Sequence, residues 1–178
     1  MTLGDEYIRI IKQRFVQIKE QGEGAFQQLN ESDIHWTLNE ASNSIAVIVK
    51  HLRGNMLSRW TDFLTTDGEK SNRHRDQEFI NTVDSKQHML TLWNEGWSVL
   101  FAALEQLTAA DLQKNVRIRE QPLLVLDAIE RQLAHYASHV GQIMLIGKQR
   151  KGNEWKSLSI PKGKSEEHLK EMKQKYNK

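Results

Sequence analysis

Apolar residues recur every three to four positions along most of the chain, which is the period of an α-helix with one buried face. The first such segment covers residues 4–29. A second follows Asn43, a residue type that suits an N-cap, and the Thr-Thr-Asp-Gly run at residues 65–68 ends it. The apolar positions of this second segment are Ile45, Val49, Leu52, Met56, Trp60 and Phe63.

The second half of the chain predicts two more helices. Asp84, with Gln87 three residues later, has the spacing of a capping box and marks the start of the third helix. Because proline is favoured in the first turn of a helix, the fourth helix is predicted to run from Pro122 to about Lys148. The only alternation typical of a strand lies at residues 116–120, and this run is too short to found a sheet.

Four helices of about 20 to 27 residues, each with one apolar face, can bury those faces together in a four-helix bundle. The connection at residues 65–82 is long for neighbouring antiparallel helices, but it could climb the length of a bundle. We therefore predict an all-α fold in which the second and third helices run parallel. Residues 1–150 are assigned to this bundle domain and residues 151–178 to a C-terminal extension.

The C-terminal extension is predicted to start as a packed strap and to continue as a basic tail. Leu158 and Ile160 alternate before Pro161, a pattern typical of extended chain, and a short helix is predicted at Ser165–Tyr176. Residues 148–178 contain ten Lys/Arg and four Asp/Glu, although the whole chain has a net charge of only +2. Such a tail could contact nucleic acid, but few aromatic residues are interleaved, so nucleic acid is the least favoured partner.

The composition limits the chemistry. The chain of 178 residues has no cysteine, which excludes disulfides, thiolate metal ligands and a cysteine nucleophile. Any metal must therefore be held by nitrogen and oxygen atoms. The apolar runs are shorter than the roughly 20 residues of a membrane helix, and the N-terminal residues do not follow the basic-then-apolar pattern of a signal peptide. We expect a cytoplasmic protein without a membrane partner.

Two histidines stand four residues apart in the fourth predicted helix, in the stretch AHYASHVGQI. His135 and His139 share one helix face with Arg131, Gln132 and Gln142, so polar side chains line the middle of that face. An HxxxH pair on a helix aims both imidazoles at one point and suits a divalent metal. The coordination would be incomplete, so a third ligand must come from elsewhere.

His51 on the second predicted helix faces a similar polar seam, together with Asn55. From the residues alone, two interpretations of these histidines stay open: metal ligands, or buried imidazoles satisfied by hydrogen bonds. Likewise Asn55, Arg131, Gln132 and Gln142 either support the ligands and orient a substrate or are exposed polar residues near a bundle end. The remaining histidines are predicted to be ordinary surface residues: His35, His74, His88 and His168.

Three stretches of the sequence carry a family resemblance: NSIAVIVKHLRGNMLSRWTDFLTTDGEK, RQLAHYASHVGQIMLIGK and WKSLSIPKGKS. They resemble the DinB/YfiT-like superfamily of metal-dependent hydrolases, and within it a bacterial branch of unassigned function. The likeness runs from the first helix to about Ser165, and its most specific part is one histidine on helix two combined with HxxxH on helix four. The resemblance implies a bundle of up-down-down-up topology that is often dimeric, with His51, His135 and His139 as three metal ligands.

The resemblance also implies a bound divalent metal, zinc or nickel, with its open positions taken by water. Three nitrogen ligands with an open position are expected of a working metal rather than a structural one. Characterised relatives include thiol transferases that use bacillithiol or mycothiol and a mycothiol-dependent isomerase, whereas many members have no demonstrated activity.

Two functions are therefore carried forward. The first is a metal-dependent enzyme that activates water or a low-molecular-weight thiol toward a small-molecule substrate, as a hydrolase or a thiol S-transferase. The second is a non-catalytic metal-binding stress or interaction module whose apolar surface forms a homodimer. No carboxylate is clearly placed as a general base, because Asp62 is expected roughly 16 Å along the helix axis from His51.

Overall fold

The computed structural model describes residues 1–177, and most of them are helical. None of the helices in this part of the chain is both long enough and apolar enough to cross a bilayer. In chain order the elements are α1 (Leu3–Gln28), α2 (Ile45–Trp60), α3 (Lys86–Gln106), β1 (Asn115–Ile118), β2 (Gln121–Leu124), α4 (Val125–Lys151) and α5 (Ser165–Tyr176).

Serine caps start α2 and α3. Ser44 Oγ accepts a hydrogen bond from Val47 N, and Ser85 Oγ accepts one from His88 N. Each serine has the extended backbone dihedrals of an N-cap and satisfies a backbone N–H that the first helical turn leaves free. Both caps lie one residue beyond the positions predicted from the sequence.

A β-hairpin lies between α3 and α4. β1 and β2 pair antiparallel with Ile118 opposite Gln121, so the connecting turn consists of two residues, Arg119 and Glu120. Both have positive φ, 55° and 63°, as a type I′ turn requires. Asp67 accepts hydrogen bonds from both of their backbone N–H groups, at 2.9 and 2.8 Å. The loop that follows α2 therefore holds the hairpin turn in place.

The hairpin corrects two expectations from the sequence. Pro122 lies in β2 rather than opening a helix, and α4 begins at Val125. The strand-like run at residues 116–120 is as short as expected, yet Val116 and Ile118 are buried, so the helices stabilise the hairpin and no larger sheet is needed. The fold is thus mostly helical with a small two-stranded sheet, and the prediction of a purely all-α fold is wrong at this point.

The core lies between the four long helices. α1 packs mainly against α4 and α2 mainly against α3, and α2 also contacts α4. Phe15 of α1 packs against three aromatic side chains, with ring centroids 6.1 Å from Trp60, 6.4 Å from Trp97 and 6.0 Å from Tyr136. All four side chains are buried. This packing brings α2 and α4 side by side, and with them the histidines of both helices.

The C-terminal extension packs on the helices over a short stretch. Trp155 lies so close to Gly147 of α4 that a Cβ there would be 2.6 Å from the indole ring, and Leu158 covers Gly24 of α1 in the same way. Ile160, which was expected to pack together with Leu158, is 46% exposed. The apolar contact of the strap is therefore made by Trp155 and Leu158, and no residue of α5 is buried within the described chain.

Candidate metal centre

Three imidazoles from α2 and α4 converge on one point. His51 Nε2 lies 3.4 Å from His135 Nε2, which lies 3.1 Å from His139 Nε2. One potential ligand atom from each residue lies within 4.8 Å of the other two. Metal–nitrogen bonds of about 2.05 Å at octahedral or tetrahedral angles need nitrogen–nitrogen distances of about 2.9 to 3.4 Å. Two of the three nitrogen–nitrogen distances lie in or close to this range, and the donor set has the chemistry that a divalent metal ion requires.

Burial keeps two of these imidazoles uncharged. Loss of solvation, followed by the nearby His139 and His51, lowers the pKa of His135 to about 3. Burial also lowers the pKa of His139, with a smaller contribution from His51. Neutral imidazole is the form that ligates a metal, so both side chains are prepared for coordination at neutral pH.

His51 is oriented by the loop between α2 and α3. Its Nδ1 lies 2.8 Å from Glu78 Oε2, and its ring stacks on Phe79 with the centroids 4.9 Å apart. Arg73 donates to both oxygens of Glu78, at 2.8 Å each. Burial by itself raises the pKa of Glu78, but the hydrogen bonds from Arg73 and His51 hold that pKa below its usual value. An ionised Glu78 accepts a hydrogen bond from the Nδ1–H of His51 and leaves the His51 Nε2 lone pair facing the other histidines.

Two of the polar residues singled out in the sequence make defined contacts around the histidines. Gln142 Oε1 lies 3.2 Å from His139 Nδ1, so His139 can be oriented in the way that Glu78 orients His51. Asn55 Oδ1 accepts a hydrogen bond from the Tyr136 hydroxyl, which in turn accepts one from Trp60 Nε1, both at 2.9 Å. Asn55 is therefore anchored in the aromatic core.

A cleft of about 320 Å³ opens beside the three histidines. Asn55, Arg131 and Gln132 all line it. Gln132 is only 4% exposed, and its side-chain oxygen has no hydrogen-bond partner within the described residues. Four further arginines line the cleft that were not singled out in the sequence: Arg59, Arg73, Arg75 and Arg119.

Sequence reasoning missed what the α2–α3 loop contributes. It weighed Asp62 as a general base and placed it too far from His51, but it did not find Glu78, which contacts His51 from the 3-10 helix Arg75–Phe79. Asp62 does not line the cleft. The available signal was the length of the connection, since long loops without regular structure are often functional. The other four histidines lie outside the cleft: His35, His74, His88 and His168.

Comparison with known protein families adds a context for these residues. The chain matches the family described as "Protein of unknown function (DUF1572)" over residues 2–164, a range that contains the three histidines, Glu78 and all the cleft arginines. No curated protein gives a match. DUF1572 is part of the DinB/YfiT-like clan, so the superfamily expected from the sequence is confirmed at that level. Because the match extends over most of the chain, the protein belongs to the DUF1572 family.

Proposed function

We propose that the protein is an enzyme that binds one divalent metal ion, zinc or nickel, through His51, His135 and His139. The observation that carries the proposal is the convergence of three imidazoles from two helices, two of them backed at Nδ1 by Glu78 and Gln142. Three nitrogen ligands leave a coordination position open, and an open position distinguishes catalytic from structural sites.

The reaction class proposed is hydrolysis or thiol S-transfer on a small molecule. When bound, a metal of this kind lowers the pKa of a water molecule or a thiol toward neutral pH. The chain has no cysteine, so the sulfur in a thiol transfer must come from a low-molecular-weight cosubstrate. The residues of the cleft would bind and orient the substrate next to the histidines.

A carboxylate general base is not part of the proposal. Glu78, the carboxylate in contact with His51, is held ionised between His51 and Arg73 and does not line the cleft. Among the described residues, no aspartate or glutamate lines the cleft. This supports a mechanism in which the nucleophile has already lost its proton when it attacks. No neighbouring side chain then has to remove that proton during the attack.

We further infer that α1 to α4 form a four-helix bundle of up-down-down-up order and that two copies of the cytoplasmic chain associate. The pairing of α1 with α4 and of α2 with α3, together with the long α2–α3 loop, supports this topology. The association of two copies is supported by the resemblance to a superfamily that is often dimeric. Sedimentation velocity of the purified chain tests the dimer, and a monomer at all concentrations would exclude it.

Metal analysis of single alanine variants tests the metal site. His51→Ala, His135→Ala and His139→Ala should each lose most of the bound metal, because a three-ligand site fails when one ligand is removed. Helical circular dichroism checks that each variant remains folded. Matched controls that should keep near-stoichiometric metal are His35→Ala, His74→Ala, His88→Ala and His168→Ala. Full occupancy in all of the first three variants would overturn the proposal.

Activity assays separate the enzyme from the non-catalytic module. The metal-loaded protein is to be tested on a panel of thiol conjugations and of ester and amide hydrolyses. Turnover that is lost with the metal supports the enzyme. A loaded protein that is inactive throughout the panel and whose metal has a fourth protein ligand would favour the module instead.

A further inference from the structure

The cleft beside the three histidines is lined by five arginines and, in the described part of the chain, by no carboxylate. The arginines come from four different parts of the fold. Arg59 lies on α2, Arg73 and Arg75 on the loop after it, Arg119 in the hairpin turn and Arg131 on α4. Positive charge is therefore concentrated on one small concave surface.

Carboxylates behind the cleft neutralise only part of this charge. Glu69 Oε2 lies 3.0 Å from Arg59 Nη2 and 3.1 Å from Arg119 Nε, and Glu78 takes both hydrogen bonds of Arg73. These two carboxylates thus serve three of the arginines. Neither of them lines the cleft, so the charged side chains that do line it are all basic or imidazole groups.

The other two arginines, Arg75 and Arg131, take part in none of the ion pairs found within residues 1–177. The guanidinium of Arg75 lies over the Phe79 ring, 5.1 Å from its centroid, and Phe79 stacks on His51. Arg131 precedes His135 by one helical turn on the same face of α4. Arg131 is therefore one turn from His135, and Arg75 is linked to His51 through the ring of Phe79.

Two buried polar groups in the cleft wall also have no hydrogen-bond partner within the described residues. They are Arg59 Nε and Gln132 Oε1, on side chains of residues that are 5% and 4% exposed. Buried polar atoms in folded proteins nearly always have a partner, and an amide can present either a donor or an acceptor. A ligand with oxygen atoms that enters the cleft would supply partners here.

Arg119 lines this cleft from the hairpin turn. Its φ of 55° is sparsely populated by residues other than glycine, and Asp67 fixes it through the backbone N–H. This conformation is the one that a two-residue type I′ turn requires.

We propose that the cleft binds the oxyanion group, a carboxylate or a phosphate, of an anionic small molecule. Arg75 and Arg131, which are in no ion pair, supply the charge; Arg119 adds guanidinium N–H groups beside its contact with Glu69, and Gln132 supplies a hydrogen bond. The volume of about 320 Å³ is at the lower end of the range for small-molecule sites. This inference names the substrate class of the enzyme proposed above and rests on that proposal for the reaction, although not for the binding.

Calorimetric titration with inorganic phosphate and with succinate tests the site, first on the protein as purified and then after chelation of metal. We expect saturable binding of one anion per chain in both preparations. Arg75→Gln and Arg131→Gln should each weaken it by about tenfold or more, because each removes a charged hydrogen-bond donor. The anion that binds with the higher affinity shows whether the group is a phosphate or a carboxylate.

Arg14→Gln is the matched control. Arg14 is an exposed residue of α1 that contacts Gln17 and does not line the cleft, so this variant removes the same charge outside the cleft and should bind like the wild type. Absence of saturable binding by both anions would overturn the proposal. Equal weakening in Arg14→Gln and Arg75→Gln would also overturn it, since the effect would then be general electrostatics. Anion binding that requires metal and is unchanged in Arg75→Gln and Arg131→Gln would overturn the proposal as well, because the anion would then be a metal ligand.

The anion site and the metal site can fail independently. If the histidine variants keep their metal and anion binding still depends on Arg75 and Arg131, the proposed metal centre is excluded and the proposed anion site is supported. Metal lost in the histidine variants, with anion binding absent from the wild type, keeps the metal centre and removes the anion site.

Discussion

His51 Nδ1 lies 2.8 Å from Glu78 Oε2, and both side chains are buried. The two residues are 27 positions apart, one on α2 and the other on the loop that follows it. A helical histidine is thus oriented by a loop carboxylate, and Arg73 fixes that carboxylate in turn. The geometry of the three-histidine cluster therefore depends on how this loop folds, as well as on the packing of α2 against α4.

Glu78→Gln should weaken metal binding by about 10- to 100-fold. The substitution removes a carboxylate that orients His51 and makes the His51 ring more basic. The measurement is competition with a chromogenic chelator at neutral pH. Glu95→Gln serves as the control, since Glu95 pairs with Arg53 on the surface at 3.0 Å. Equal metal affinities of the two variants, with both folded by circular dichroism, would show that the contact does not orient a ligand.

The stability of the metal-free protein should fall as the pH is lowered from about 6.5, the usual pKa of a histidine side chain. Burial first, and then the neighbouring imidazoles, lower the pKa of His135 to about 3 in the folded state. Between these two values the unfolded chain takes up a proton that the folded chain does not, so acidification favours unfolding. The stabilisation is complete above about pH 6.5 and is lost as the pH falls toward 3.

Urea unfolding of the chelated protein at several pH values measures this effect. The free energy of unfolding should depend less steeply on pH in His135→Gln, which has no imidazole at this position. His168→Gln is the control, because His168 lies on α5 outside the core. A wild-type slope that is unchanged in His135→Gln would show that His135 is not the group responsible.

Two glycines of α4 should respond in opposite directions to alanine. A methyl group placed on Gly141 would have no neighbouring atom within 4 Å, so Gly141→Ala should stabilise the protein by about 1 kcal/mol through helix propensity. At Gly147 the new Cβ would lie 2.6 Å from the Trp155 ring. Gly147→Ala should therefore be destabilising, by about 1 to 3 kcal/mol before the gain in helix propensity is subtracted.

Urea titrations of the two variants give the comparison, and limited proteolysis between Trp155 and Ser165 reports on the strap. Faster cleavage is expected only in Gly147→Ala, because displacement of Trp155 would loosen the strap. If the two alanines stabilise the protein equally, Trp155 does not pack on α4 in solution.

Replacement of the two hairpin-turn residues should raise the stability of the protein and weaken its binding of the anion. Asn-Gly is the sequence that a type I′ turn prefers, so Arg119→Asn combined with Glu120→Gly should raise the free energy of unfolding, by about 1 kcal/mol. The same double variant removes a cleft arginine and should weaken binding of phosphate or succinate. Glu120→Gly alone keeps Arg119 and should retain wild-type anion affinity. A double variant that is more stable and binds the anion normally would exclude Arg119 from the ligand site.

The long helices and the three histidines could be predicted because their signals are local. Apolar periodicity placed α1 to within a residue at each end, and the i, i+4 spacing put His135 and His139 on one face. Pairing His51 with them required a family resemblance, because no local rule connects residues that lie 84 positions apart.

The parts that could not be predicted depend on contacts between distant segments. Glu78 reaches His51 only through the path of the α2–α3 loop, and Asp67 holds a turn 52 residues away. The Arg119-Glu120 turn has none of the Gly or Asn residues that normally announce a hairpin. Its conformation follows from the folded surroundings, so neither the hairpin nor the arginine cluster was visible in the pattern of the sequence.

His51 and His135 are 84 residues apart, so their contact can form only at a particular step of folding. α2 and α4 can each form early from local interactions, but their imidazoles meet only when the two helices dock, which is a long-range and slower event. The appearance of metal affinity during refolding would therefore mark helix docking, separately from helix formation as followed by circular dichroism. Metal binding by this cluster would therefore report when α2 docks on α4 and the core assembles.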